Sequence, residues 1–215
     1  MPFVKKIETE NGIIGIWEIS ESACSLISAF QFSENEKNEF KKFIGEKRQK
    51  EYLATRLLLQ NILGQKTEVI YLESRRPLVK NSKLNISISH SSDYVTVFIS
   101  NELCGIDVEN VHRNIDRVKK RFLHREELAW IENSNQSQLL KIMYWCAKEA
   151  IFKCSSETGV RFDEQIFIAP FEIGKTEFFN GKLTTKNSVF HFILRYFNFE
   201  NNMVVYCVEV KNISL

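Results

Sequence analysis

Residues 84–109, LNISISHSSDYVTVFISNELCGIDVE, carry the pattern that decides the fold. LNISISH (84–90) alternates apolar and polar residues, YVTVFI (94–99) is a second run, and LCGIDVE (103–109) is a third. Runs of this length, rich in β-branched residues, read as strands. HSSD (90–93) links the first two as a hairpin would, and Asn101-Glu102 supplies the next turn, so the stretch predicts an antiparallel meander. Upstream, IIGIWEI (13–19) reads as an early strand, while 22–30 fits neither period. Ser33 with Glu36 three residues later is a capping box that opens a helix. A second helix spans 46–63, closed by Gly64, with Tyr52, Leu53, Leu57, Leu58 and Ile62 as its buried stripe. Residues 67–72 suggest a short strand, and SRRPLVKNSK (74–83) a turn region in which Pro77 argues against a central strand. Downstream come a loop from about 110, a helix from about 124, a polar break SNQSQ (134–138) and a strong helix over 138–154. The remainder, 160–211, reads as short strands, with Asn180-Gly181 as a hairpin turn between FEIGKTEFF (171–179) and KLTTK (182–186). Further strands fall at 189–197 and 203–210.

Composition bounds the class. A chain of 215 residues, 44% hydrophobic and 26% charged with 3 prolines and 8 glycines, is neither disordered nor collagenous and buries a real core. Lysine and arginine total 29 against 27 acids, a net charge of +2 that gives no argument for a nucleic-acid partner. The five cysteines, at 24, 104, 146, 154 and 207, form no CxxC pair, which fits a reducing compartment. No stretch reaches the roughly 20 apolar residues of a membrane span. MPFVKKIETENG has acids where a signal peptide needs its apolar region. A cytoplasmic protein with no membrane partner is expected.

Three pieces carry the chemistry. In Gly105-Ile106-Asp107-Val108-Glu109, alternation puts Asp107 and Glu109 on one face, where two carboxylates repel unless a cation lies between them. Magnesium takes such oxygen ligands, and an ordinary acidic strand face is the plain alternative. In WCAKEAIFK (145–153), Glu149 shares a side with Ile142, Trp145, Phe152 and Lys153, while Lys148 projects into solvent beside Lys141. Glu149 and Lys153 form a simple helix pair, or Glu149 joins Asp107 and Glu109 at a metal and Lys153 meets a phosphate. His90 continues the parity of Ile86 and Ile88, which makes it core-facing, yet it stands at a strand exit with Arg76 and Lys80 nearby to add charge for a phosphate. Arg48 and Arg56, two turns apart, share one side of the 46–63 helix and on their own read as solvated surface. Ser89 lacks a GxSxG setting, and the four histidines lack zinc spacing. These groups describe a polyanion held through magnesium. Phosphoryl transfer, pyrophosphate cleavage and nucleotide binding all remain open at this level.

The ordered strings NISISHS (85–91), GIDVE (105–109), RFLHREE (121–127) and WCAKEAIFK (145–153) resemble those of the 4′-phosphopantetheinyl transferases, in particular the Sfp-like, surfactin-synthetase-activating branch. The resemblance covers about 76–153 and is looser over the 46–63 helix. It implies an α+β fold of two similar α/β halves with pseudo-twofold symmetry in one chain, 1–100 and 101–215, with the active site in the cleft between them. The implied reaction moves the 4′-phosphopantetheine arm of coenzyme A onto a serine of an apo acyl or peptidyl carrier protein, releasing adenosine 3′,5′-bisphosphate. Asp107, Glu109 and Glu149 then correspond to the ligands of Mg²⁺ or Mn²⁺, and Glu149 also to the base, directly or through water. Lys153 meets the pyrophosphate. His90 corresponds to the residue at the 3′-phosphate with Arg76 near it, and Arg56 and Arg48 to basic residues of the nucleotide pocket. A monomer suffices for such a chain. Basic residues from Arg113 to Arg121 suit an acidic carrier. Related sequences often carry glycine where Arg75 stands. The competing readings are a magnesium-dependent nucleotide phosphatase or pyrophosphatase and a catalytically inactive relative that binds coenzyme A or a carrier.

Overall fold

The computed structural model describes residues 3–155 and 157–210. It forms two compact units, Met1–Asn101 and Glu102–Leu215, each with its own apolar core. The first unit runs β1 (Phe3–Thr9), β2 (Gly12–Glu18), α1 (Ala23–Ala29), α2 (Glu34–Phe40), α3 (Glu46–Leu63), β3 (Val69–Tyr71), β4 (Pro77–Val79), β5 (Asn85–Ser91) and β6 (Tyr94–Ser100). Its strands pair antiparallel in the order β1-β2-β6-β5-β4-β3. The second unit runs β7 (Cys104–Asn110), α4 (Arg125–Glu132), α5 (Ser137–Ser155), α6 (Phe162–Gln165), β8 (Ile166–Ile168), β9 (Phe179–Thr184), β10 (Val189–Phe199) and β11 (Asn202–Glu209). Its antiparallel order is β7-β11-β10-β9-β8.

The α+β class expected from the sequence is what the chain adopts, and one topology occurs twice. In each unit a strand leads through a long helix to four strands, the last of which returns beside the first: β2-β6-β5-β4-β3 in one, β7-β11-β10-β9-β8 in the other. The long helices form the cores. Leu53, Leu58 and Leu59 of α3 are fully buried, as are Ile142, Ala147 and Ile151 of α5, each large apolar side chain contributing about 1.5–3 kcal/mol. A glycine on the leading strand lets each helix approach. A Cβ on Gly105 would lie 1.9 Å from the carbonyl oxygen of Ala150, and one on Gly15 would lie 2.2 Å from Ile62 Cδ1. Among the described residues no helix is long and apolar enough to cross a membrane.

Three expectations change. The meander ends after two strands: β5 and β6 pair as a hairpin, but β7 pairs with β11 in the other sheet. Alternation identifies a strand without naming its neighbour, and the Asn101-Glu102 link is where one unit ends and the next begins. Asn180-Gly181 is no turn either; both residues lie inside β9. A Cβ at Gly181 would sit 2.6 Å from Ile151 Cδ1, so the glycine serves close packing against α5. Pro77 opens β4, a strand flanked by β3 and β5, where its missing N–H is tolerated as the first residue. The undecided stretch 22–30 contains α1, capped by the Ser22 hydroxyl.

Candidate active site

The second unit brings its acids together across β7 and α5. Ile106 and Val108 are buried on one face of β7, and Asp107 is 5% exposed on the other. Lys153, on the last turns of α5, donates from Nζ to Asp107 Oδ1 at 2.7 Å and to the Ile106 carbonyl at 3.1 Å. Where the sequence left open a Glu149–Lys153 helix pair or a phosphate contact for Lys153, the ammonium makes a helix-to-strand pair with Asp107. Burial, and then the charge of Asp107, push the Glu149 carboxyl above the ordinary range; Lys153 and Arg113 pull it back. Glu109 Oε1 accepts from Trp145 Nε1 at 3.1 Å and from Arg113. Among the described residues no three His, Cys, Asp or Glu side chains are arranged to hold a metal ion. Two of the three carboxylates face protein cations, Asp107 with Lys153 and Glu109 with Arg113.

Glu149 lies on the wall of a cavity of about 600 Å³ within this unit. Phe122, Trp145 and Phe162 give it an apolar side, and Lys120, Arg121 and Arg161 a basic one. Phe122 meets the Trp145 ring edge-on at 5.1 Å.

Lys148 is not in solvent. Its side chain is 0% exposed, as is that of Glu127, and the two pair at 2.6 Å. The ammonium also donates to the carbonyls of Phe162 at 3.0 Å and Ile166 at 2.6 Å, so its three protons have three acceptors. Glu127 accepts from the Ile168 amide at 2.7 Å and, closing a capping box, from the His124 amide at 2.7 Å. Burial pushes the Lys148 ammonium down and the Glu127 carboxyl up, and each partner opposes the shift of the other. The helical pattern placed Lys148 with Lys141 on a polar side. That side is covered by the 162–168 segment, which the pattern of α5 alone cannot show.

The remaining candidates lie in the first unit. His90 and Arg48 line a pocket of about 150 Å³ with Thr55, Tyr52 and Ile88. His90 Nε2 is 3.2 Å from Thr55 Oγ1, which itself donates to the Glu51 carbonyl at 2.7 Å. The hydroxyl proton being used on Glu51, the Thr55 oxygen accepts from the imidazole. Thr55 was missed at the sequence level, although a polar side chain inside the apolar run YLATRLLL calls for a partner. Arg48 pairs with Glu51 at 2.9 Å. Arg56 reaches the same pocket wall, but only 1% of its side chain is exposed; it faces Glu36 at 3.8 Å and Glu39 at 3.4 Å, and stacks 3.2 Å from the Tyr52 ring centre. Its surroundings are those of a buried structural cation rather than a solvated one. Arg76 donates to Asn85 Oδ1 at 2.8 Å.

Comparison with known proteins bears on the second unit. Residues 103–203 match the family model described as the 4′-phosphopantetheinyl transferase superfamily, a span that holds Asp107, Glu109, Glu149 and Lys153. That span lies within the second unit. The chain is also similar to the 4′-phosphopantetheinyl transferase gsp of Aneurinibacillus migulanus, 29% identical over 123 residues, which are 55% of this chain and 49% of that protein. A provisionally named 4′-phosphopantetheinyl transferase of Haemophilus influenzae is 33% identical over 113 residues, 47% of this chain and 48% of its own length. The chain thus spans about half the length of these curated relatives. The likeness to gsp agrees with the Sfp-like branch.

Proposed function

We propose that this protein transfers the 4′-phosphopantetheine arm of coenzyme A to a serine of an apo acyl or peptidyl carrier protein, with adenosine 3′,5′-bisphosphate as the other product. One observation carries the reading: Lys153 paired to Asp107 beside Glu149, on β7 and α5 within the superfamily span. In the reaction the serine oxygen bonds to the phosphorus bearing the pantetheine, the bridging P–O bond breaks, and the bisphosphate leaves with the electron pair. Glu149 takes the serine proton, directly or through a water. Its burial, which raises the carboxyl, makes it a better acceptor than an exposed glutamate. Lys153, held between the Ile106 carbonyl and Asp107, presents a fixed positive charge to the pyrophosphate oxygens.

Asp107, Glu109 and Glu149 are hard oxygen donors of the kind Mg²⁺ or Mn²⁺ takes, and they are the residues that would hold the ion, although their side chains are not gathered around one point here. When bound, the ion screens the pyrophosphate charge. In the first unit, the pocket of His90 and Arg48 is proposed to take the 3′-phosphate, with Arg76 adding charge at a distance and Arg56 acting from behind the pocket wall. The proposal sets a single chain at work in the cytoplasm, a placement supported by the five cysteines, none of which is in a disulfide among the described residues.

The test is the intact mass of an apo carrier protein after incubation with this protein, coenzyme A and magnesium. A gain of one phosphopantetheine is expected, absent with EDTA and absent with a carrier whose acceptor serine is alanine. No gain on fatty-acid and peptidyl carriers alike would overturn the reading.

A further inference from the structure

We infer that Lys148 and Glu127 are positioning residues, whose buried pair sets the wall of the cavity beside Glu149 and through it the grip on the ligand that fills that cavity. Neither side chain can touch a substrate, since both are 0% exposed. What they touch is backbone. Lys148 holds the carbonyls of Phe162 and Ile166, and Glu127 holds the amide of Ile168, so three hydrogen bonds fasten a seven-residue stretch to the joined pair. This stretch contains α6, a single turn of four residues too short to hold its own shape. The same stretch faces the cavity. Phe162 and Asp163 line it, with Arg161 just before them.

The link to the acids is continuous. The Phe162 ring packs on Phe152 at 5.5 Å and on Trp145 at 6.3 Å, and Trp145 donates its indole N–H to Glu109. A shift of the Phe162 backbone therefore moves one cavity wall and loosens the indole that orients Glu109. The buried ion pair is a poor device for stability alone, because desolvation offsets much of the attraction. It is a good device for holding buried carbonyls in place, since a buried carbonyl without a donor is costly. The first unit repeats the construction: Arg56 of α3 faces Glu36, the capping-box residue of α2, both buried. There too the cation backs the wall of a pocket.

The kinetic part of this inference rests on the transferase reading; the structural part does not. The decisive variant is Lys148→Met/Glu127→Gln, which removes both charges together and keeps one side-chain oxygen, an acceptor for the His124 or the Ile168 amide but not for both. Hydrogen exchange is measured first. Loss of protection across 162–168, with α5 and β7 still protected, is expected, and retained protection there would overturn the inference whether or not the protein is a transferase. Transfer by the wild-type protein is then measured separately, so that its failure counts against the reading alone. The basic side of the cavity, Lys120 and Arg121, suits an acidic carrier, so with an active wild type the double variant is expected to raise KM for the carrier about tenfold while kcat changes less than about threefold. An unchanged KM in a folded double variant would overturn the positioning role. So would a collapse of kcat at constant KM, which would make the pair a participant in the chemistry.

Discussion

The two units build the same topology around a long helix, and each helix carries one fully buried cation facing a buried capping-box glutamate. In the first unit the cation is Arg56 and the glutamate Glu36; in the second they are Lys148 and Glu127. The difference lies in how the charge is satisfied. The guanidinium of Arg56 is shared among Glu36 at 3.8 Å, Glu39 at 3.4 Å and the Tyr52 ring, and Glu39 is partly open to water. The ammonium of Lys148 has one carboxylate at 2.6 Å and two backbone carbonyls, with no exposed partner. A planar, weakly hydrated cation tolerates loose company, whereas a compact ammonium needs three close acceptors. The comparison teaches that a repeated fold can keep a buried charge and still change its purpose: in one unit it braces two helices, in the other it also fixes the short α6 turn and the start of β8.

The comparison breaks most sharply if the cations are removed singly. Lys148→Met leaves Glu127 buried without its counter-charge and should cost about 3–5 kcal/mol. Arg56→Met should cost about 3 kcal/mol, the lower end of that range, because the loosely held Glu36 and the partly wet Glu39 lose less. Urea unfolding followed by hydrogen exchange resolves the two units. Equal losses would mean that closeness of pairing does not matter here.

The next effect is catalytic and separates the leading strands. β7 carries Asp107 two residues after Gly105, where β2 carries the buried Trp17 two residues after Gly15. Asp107→Ala should cut transfer about 10²–10³-fold, the size expected when a charged group that orients a fixed cation is lost from an active site. Its melting temperature should stay close to that of the wild type. The check is the initial rate by intact mass across a magnesium series. Full rate at limiting magnesium would remove Asp107 from the site.

Much of this architecture was legible in the chain. The helix over 46–63 coincides with α3, since Gly64 at φ 66° ends it in the left-handed region that glycine favours. The Ser33–Glu36 capping box is present as read. Asp107, Glu109, Glu149 and Lys153 read by spacing alone as an acidic strand face and a common helix pair; the ordered resemblance of GIDVE and WCAKEAIFK to the transferase family is what singled them out. What was hidden depends on contacts remote in sequence. Nothing in the period of α5 shows that residues 162–168 lie over Lys148. A buried partner for Lys148 could be suspected only from Glu127, whose place as the third residue of a helix looks like ordinary capping. His90 was legible as a strand-exit histidine, but its contact with Thr55 joins residues 35 apart.

The leading glycines sharpen the comparison at a smaller scale. Gly105→Ala drives a Cβ against the backbone oxygen of Ala150, so strand and helix must part, at about 2–3 kcal/mol. Gly15→Ala meets the far ends of Ile62 and Leu58, which can turn aside, and should cost about 1 kcal/mol. Thermal melts of the two variants measure this. A larger loss for Gly15→Ala would show that α3 sits as rigidly on β2 as α5 does on β7.

The smallest effect concerns matching loops. The link from β3 to β4 turns through Arg75 at φ 66°, and the link from β8 to β9 turns through Gly174 at φ 79°. An arginine in the left-handed region costs about 1 kcal/mol that a glycine does not. The Arg75 amide donates to the Leu72 carbonyl at 2.9 Å, and the Leu72 amide to the Arg76 carbonyl at 3.0 Å, so the turn is closed at both ends and cannot relax. Arg75→Gly removes the strain but gives the unfolded chain more freedom, a cost of about 0.5–1 kcal/mol that offsets part of the gain. The net expectation is a gain of a few tenths of a kcal/mol, seen as a melting temperature raised by about 1–2 °C. Gly174→Ala runs the other way, with strain added to the longer loop and a loss of about 1 kcal/mol. If Arg75→Gly instead destabilises the first unit, the arginine side chain holds the β3–β4 turn by a contact worth more than its backbone strain, and the two loops differ in kind.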